Sequence, residues 1–215
     1  PASRCTVARA YTAGMKPARR VLIVLGHGRA ESLCHHLTGV ARAALVERGA
    51  EVRVHDLLAD GFDPLLRLAP EERHATPPAA DDDPLVHRYC EDVRWAEAFV
   101  IVHPVWWFAP PAILKGWIDR VFVHGVAVNQ PEQGPPEGIL QGRRALVVQT
   151  FNAPRAVDTL FMRNLSEAFW KRAVFTSVGM RDVKRLAFYG VDGISAQDLA
   201  AAERRLRRAV SALAG

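Results

Sequence analysis

Apolar and polar positions follow two rhythms along this chain. Val21-Leu22-Ile23-Val24-Leu25 is an unbroken apolar run closed by Gly26, which predicts a strand covered on both faces. Leu33, Leu37, Val40, Ala41, Ala44 and Leu45 then recur at helical spacing, with Ser32 as the N-cap and Gly49 just past the end. Val52 and Val54 alternate with Arg53 and His55, predicting a second, more exposed strand. A helix over 85–95 and a third, central strand over 98–102 follow. Pro111 opens the next helix at its first position, and Leu114, Trp117, Ile118, Val121 and Phe122 form its apolar stripe. A fourth strand is predicted at 145–149, a helix over about 158–172, and a fifth, shorter strand near 184–189. The last helix begins at Ser195, where Ser195 and Asp198 make a capping-box-like start, and it turns Leu199, Ala202, Leu206, Ala209, Val210 and Leu213 inward. Two stretches rich in loop-forming residues, 57–84 and 124–142, read as surface excursions.

Five strands alternating with five helices, without an internal repeat, specify a three-layer αβα sandwich. Each parallel crossover must be right-handed and cover one face of the sheet. Ligands of such sheets bind at the carboxyl ends of the strands. The 215 residues fit one domain, and 49% hydrophobic with 24% charged residues is the makeup of an ordinary globule. The apolar stretch Pro104 to Leu114 holds eleven residues and three prolines, well short of the ~18 that a membrane span requires.

The formal charge of +5 changes the picture less than its size suggests, because Arg4, Arg9, Lys16, Arg19 and Arg20 carry all of it. From Val21 onward 23 basic residues balance 23 acidic ones, so a basic stripe for nucleic acid is missing from the globule. Residues 1–19 are expected to be a flexible basic tail and 20–215 the folded domain. Cys5, Cys34 and Cys90 form neither a disulfide framework nor a metal pair, which fits a reducing, cytoplasmic setting.

Three loops leave the carboxyl ends of the buried strands. Gly26-His27-Gly28-Arg29-Ala30-Glu31-Ser32-Leu33-Cys34 joins two glycines and a hydroxyl to a helix N-terminus, which suits a phosphate and equally suits a plain strand-to-helix turn. His103-Pro104-Val105-Trp106-Trp107-Phe108-Ala109-Pro110-Pro111 holds three successive aromatics that one segment cannot bury together, so at least one lines a cleft or an interface. Gln149-Thr150-Phe151-Asn152-Ala153-Pro154 offers a hydroxyl, a ring and an amide. His103 and His124, lone histidines near strand ends, read as structural. There is no GxSxG elbow and no HExxH or Cys/His cluster.

The run from Pro104 to Phe122 resembles the P-x-x-W-[WY]-x-x-P-A-x-L-K-G-W-x-D-R-V-F signature of flavodoxin-like NAD(P)H:quinone oxidoreductases. His27 and Ser32 stand at that family's H-P-x-x-x-S positions, with Gly28 replacing the proline, and the likeness extends over about Val21 to Tyr189. Thr150 falls in the T-T-G-G loop, where Phe151 and Asn152 replace glycines. That departure and Trp170-Lys171-Arg172-Ala173-Val174-Phe175 are similar to a divergent branch with a T-S-N-T-P-like loop and a W-K-x-x-V-F segment. The resemblance implies a flavodoxin-like five-stranded parallel sheet in the order 2-1-3-4-5. It implies that His27, Ser32, Leu33 and Cys34 hold the flavin phosphate and that Pro104, Val105, Trp106, Trp107 and Phe108 border the ring. Thr150, Phe151 and Asn152 would close the other side. No acid or base residue is implied.

The activity implied is ping-pong transfer of hydride from NAD(P)H through FMN, or FAD, to a quinone or similar planar acceptor, in a homodimer. Two other functions share such a site: a flavin-binding regulatory subunit of a membrane ion-efflux system, and a flavodoxin-type electron carrier.

Overall fold

The computed structural model describes residues 20–67, 83–131 and 133–214; the basic segment 1–19 and the acidic run at 81–82 lie outside the described residues. A parallel sheet forms the middle layer. Its strands are β1 (Arg20–Leu25), β2 (Glu51–Asp56), β3 (Ala98–Pro104), β6 (Arg144–Phe151) and β7 (Asp182–Tyr189), in the order β2-β1-β3-β6-β7. Two-residue strands β4 (Val128–Asn129) and β5 (Glu137–Gly138) pair separately as an antiparallel ribbon inside the stretch expected to be a loop. With that ribbon set aside, the order is the expected 2-1-3-4-5.

The continuous apolar runs occupy the middle of the sheet because both faces there are covered. Leu22 and Val24 of β1 point to one side, with Phe99 and Ile101 of β3, and pack under α2 (Pro84–Trp95) and α3 (Ala112–Val121) with Trp117 and Trp170. Val21, Ile23 and Leu25 point to the other, under α1 (Leu33–Val46) and the C-terminal helix, Ala196–Ala214. Ser195 caps that last helix as its sequence predicts, its Oγ accepting from the Asp198 N–H at 3.1 Å and donating to Asp198 Oδ2 at 2.7 Å.

Three local expectations are corrected. Pro111 is the N-cap of α3, one residue outside the helix. The stretch expected as one helix over 158–172 is broken. A π-helical turn (Val157–Phe161) and a short α4 (Leu165–Ala168) are separated by Arg163 and Asn164 in the left-handed region, and a second π-helical run (Phe169–Phe175) follows. Asparagine tolerates that conformation by local hydrogen bonding, and the Asn164 N–H donates to Asp158 O at 2.8 Å. The beginning of the first excursion is not a surface loop: Leu57 and Phe62 are buried in the core, and Pro64 lies against Gly116 of α3. The C-terminal helix, numbered α5 in chain order, packs on α1.

Candidate functional site

The loops after β1, β3 and β6 meet at the carboxyl edge of the sheet around a cleft of about 590 Å³, a size ordinary for small-molecule and cofactor sites. His27, Ser32, Leu33, Cys34 and Thr150 line it together with Pro104 through Phe108, Phe151 and Asn152, so the residues that the resemblance assigns to a flavin all border one cleft.

The first loop is shaped by close packing beneath it. A Cβ on Gly26 would lie 2.6 Å from Leu114 Cβ, so only glycine lets α3 come this near to the end of β1. His27 Nδ1 accepts the Arg29 N–H at 2.9 Å, which leaves its Nε2 as the protonated nitrogen of the neutral ring. Burial, followed by the charges of His35 and Arg29, holds the His27 imidazole below its ordinary titration range. Ser32 caps α1, its Oγ accepting from the His35 N–H at 3.4 Å and standing 2.9 Å from His35 Nδ1. The first N–H groups of α1 have no partner within the helix and carry its positive dipole end, which favours an anion here. Cys34 Sγ, one residue into the helix, lies 3.4 Å from Thr150 Oγ1 and ties the first loop to the third. Burial pushes the Cys34 thiol up to about 11 despite that hydrogen bond, so it is no thiolate at neutral pH.

The second loop is a hairpin. Trp106 and Ala109 exchange both backbone hydrogen bonds, at 3.1 and 3.0 Å, with Trp107 and Phe108 at φ 50° and 57° between them. That is the primed geometry which glycine or asparagine usually supplies, and two aromatics holding it cost of order 1–2 kcal/mol each. Pro110 and Pro111 are buried and fix one arm, while the Val105 N–H donates to Thr150 O at 2.9 Å and anchors the other. The result displays aromatic surface: Trp107 is 97% exposed and Trp106 48%. Trp106 reaches back across the cleft, edge-on to His27 at 5.7 Å between ring centroids.

The third loop is stiffened from behind. Phe151 stacks on Tyr189 at 4.9 Å, and the Arg185 guanidinium lies 5.2 Å from its ring centroid. Arg185 also donates to Gln149 Oε1 at 2.6 Å and to the buried Asp158 carboxylate at 2.7 Å, and the Tyr189 hydroxyl donates to the same carboxylate at 2.7 Å. Burial and then Asp158 push the Tyr189 phenol up to about 12, so it stays protonated as a donor. His103 is fully buried below this loop. Its Nδ1 donates to Pro104 O at 2.7 Å, its Nε2 accepts from Trp170 Nε1 at 2.9 Å, and burial depresses its titration to about 4. It is a structural, neutral histidine, as its sequence position suggested, and His124 likewise accepts the Gln130 N–H at 3.1 Å in the ribbon.

Val191 and Asp192, beyond β7, also line the cleft and were not singled out from the sequence. The same strand-end rule applied to the fifth strand would have found them. Arg29, Gly28 and Ala153 sit inside the quoted loops, and Arg29 adds a cation to the loop that ends at the N-terminus of α1.

The doubly wound parallel sheet, with a ligand-sized cleft where the strand order reverses between β1 and β3, defines the class: a flavodoxin-like α/β fold whose cleft lies at its topological switch point. A family described by its flavodoxin-like fold matches residues 19–210, and the chain belongs to that family. It is 31% identical to NAD(P)H dehydrogenase [quinone] 1 of Cavia porcellus, over 68% of this chain and 58% of that protein. It is 33% identical to FMN-dependent NADH:quinone oxidoreductase 3 of Pseudomonas aeruginosa, over 58% of this chain and 57% of that one. The chain thus spans less than two thirds of the length of these curated relatives. The crystal structure of Smu.1420 from Streptococcus mutans UA159 has a TM-score of 0.75 and 26% identity, over 88% of this chain and 97% of that chain.

Proposed function

We propose that the protein is a flavin-dependent NAD(P)H oxidoreductase that passes hydride to a quinone or similar planar acceptor. One observation carries this reading: a helix-capped, cationic anion cradle and a rigid aromatic hairpin face each other across a single cleft. The relatives' names supply the reaction class.

The donor set fits a flavin. Ser32, His27 and the first turn of α1 would hold its phosphate, with Arg29 adding charge. Pro104, Val105 and the hairpin Trp106-Trp107-Phe108 would border its ring, and Thr150 with Asn152 would close the far side. A flavin held there would supply two-electron hydride chemistry between a reduced nicotinamide and an acceptor. The chain's own contribution is to fix orientation and exclude water. The buried Pro104, Val105 tied to Thr150, and the Phe151–Tyr189 stack set a stiff floor, while Trp107 offers a broad face for a planar substrate. A cleft shared by donor and acceptor in turn would give ping-pong kinetics. The flavin-binding domain comprises residues 20–215, and FMN is the cofactor we favour. Two copies associate through the exposed apolar surface of the carboxyl edge.

An absorbance spectrum of the purified protein, with mass spectrometry of the released chromophore, tests the reading. Flavin bands and the FMN mass are expected. A colourless protein that binds neither FMN nor FAD on addition overturns it.

A further inference from the structure

The anion end contains a hydrogen-bonded chain that ordinary capping does not need. Ser32 Oγ lies 2.9 Å from His35 Nδ1, and His35 Nε2 lies 3.2 Å from Asp56 Oδ2 at the end of β2. The other Asp56 oxygen accepts the Ala59 N–H at 3.2 Å, which holds the carboxylate in place. A serine N-cap is complete with its bond to the His35 N–H alone. Here a buried serine that lines the cleft is also wired to a carboxylate through an imidazole.

We propose that His35 is a proton-linked positioning residue: held by Asp56, it takes up a proton from solvent when a phosphate monoester enters the cleft, and so turns the Ser32 hydroxyl toward that phosphate. The claim rests on the flavin reading above for the identity of the ligand, not for the geometry.

Donor accounting gives the mechanism. A hydroxyl has one proton and two lone pairs. With His35 neutral, the carboxylate fixes the ring proton on Nε2, so Nδ1 is an acceptor and the Ser32 O–H must donate to it. The hydroxyl then shows the cleft a lone pair, which repels an anion. With His35 protonated, Nδ1–H and the backbone N–H of His35 fill both lone pairs of Ser32. The hydroxyl proton is then free for a phosphate oxygen, and the imidazolium adds its charge.

The surroundings single out His35 for this proton. His27, 6.2 Å away ring to ring, has its Nδ1 occupied by the Arg29 N–H and no carboxylate partner among its hydrogen bonds and ion pairs, and it is held below its ordinary range. On α1 itself His36 turns to Glu203 of α5 at 2.6 Å. In β1 the segment Val21–Leu25 and in β3 the segment Ala98–Val102 bring no charged side chain against α1. Arg29 and Glu31 belong to the loop before α1 and Asp192 to the segment after β7, and the ion pair of His35 is with Asp56. Among the described residues, Asp56 is the carboxylate paired with the His35 ring.

Binding that takes up one proton weakens as pH rises, by at most about tenfold per unit. A phosphate ester loses its second proton near about pH 6, so between pH 7 and 8 its own ionisation no longer changes. Affinities of the full chain for FMN and riboflavin are measured by flavin fluorescence across that interval. FMN binding is expected to weaken several-fold with rising pH and riboflavin binding to stay flat. His35→Asn, whose amide N–H stands near the Nδ1 position without titrating, removes the slope. Asp56→Asn weakens FMN several-fold at pH 7 and leaves riboflavin unchanged. An FMN slope unaltered by His35→Asn overturns the proposal while leaving the flavin reading intact. If neither flavin binds, the flavin reading fails, and ribose 5-phosphate decides the remainder by NMR. A rise in the His35 titration midpoint on adding it supports the switch, and an unmoved midpoint refutes it.

Discussion

His103 shows how one buried side chain ties stability to pH. Its ring is fully buried, both nitrogens are engaged, and its titration lies near about 4, where an unfolded chain would protonate it near about 6.5. The folded pKa is depressed, so the stabilisation is complete above about pH 6.5 and is lost as pH falls toward 4, by roughly 3 kcal/mol in all. Urea unfolding at pH 7 and pH 5 should show this loss in the parent chain and a shallower one in His103→Gln, and equal slopes would exclude His103 as the cause. Trp107 belongs to the opposite kind of residue, stabilising little and displaying much. At 97% exposure it buries almost no area, so Trp107→Ala should leave thermal stability within about 1 kcal/mol. The same change should lower acceptor turnover at least several-fold while flavin is retained. Equal loss of both would place Trp107 against the cofactor and not against the substrate.

At the scale of elements, α3 explains why the signature run is so long. Its first half, Trp106 to Pro111, shapes the hairpin, and its second half is scaffold. Trp117 is buried and donates to His55 Nδ1 at 3.2 Å, while Arg120 donates to Asp63 O at 2.5 Å and to Asp83 Oδ2 at 3.2 Å. A Cβ on Gly116 would sit 2.2 Å from Pro64 O, a backbone atom with nowhere to go. Gly116→Ala should therefore destabilise by about 1–3 kcal/mol, with the 57–67 segment more open to proteolysis, and an unchanged melting temperature would show that the segment shifts freely. The strands were legible in the sequence because a sheet covered on both faces demands unbroken apolar runs, and Val21–Leu25 and Ala98–Val102 have little else to become. The break at Arg163 and Asn164 was not, since periodicity registers which residues are apolar and not that Leu160 and Phe161 face outward. The site divides in the same way. Its three loops announce themselves at strand ends, as Asp192 does after the fifth strand, but the Asp56–His35 pair joins elements whose meeting depends on the sheet order. The buried first excursion was hidden for a similar reason: its anchor is a missing Cβ on another helix.

At the scale of the whole molecule, the described surface holds its large exposed apolar side chains unevenly. Trp106 and Trp107 follow β3, and Leu160, Phe161 and Leu165 follow the neighbouring β6, so five of them leave the same edge of the sheet on adjacent strands. Leu160 and Phe161 are 72% and 78% exposed on a π-helical turn, a conformation that a chain holds at some cost. Leaving such side chains in water forgoes on the order of 1.5–3 kcal/mol apiece relative to burial. A second copy is the occupant we propose, because a two-fold pair would set each apolar edge against its equivalent and bring the hairpin of each cleft under cover of the other. Light scattering at micromolar concentration should then give about twice the 23.7 kDa of one chain. Phe161→Lys in combination with Leu160→Lys should shift that mass to a single chain and leave the far-UV spectrum unchanged, since neither side chain supports the core. Acceptor turnover should fall in the same variant while flavin remains bound, because Trp107 would then lack a facing wall. A parent chain that is monomeric at these concentrations would remove the dimer, and a monomeric variant with full turnover would separate the cleft's activity from association.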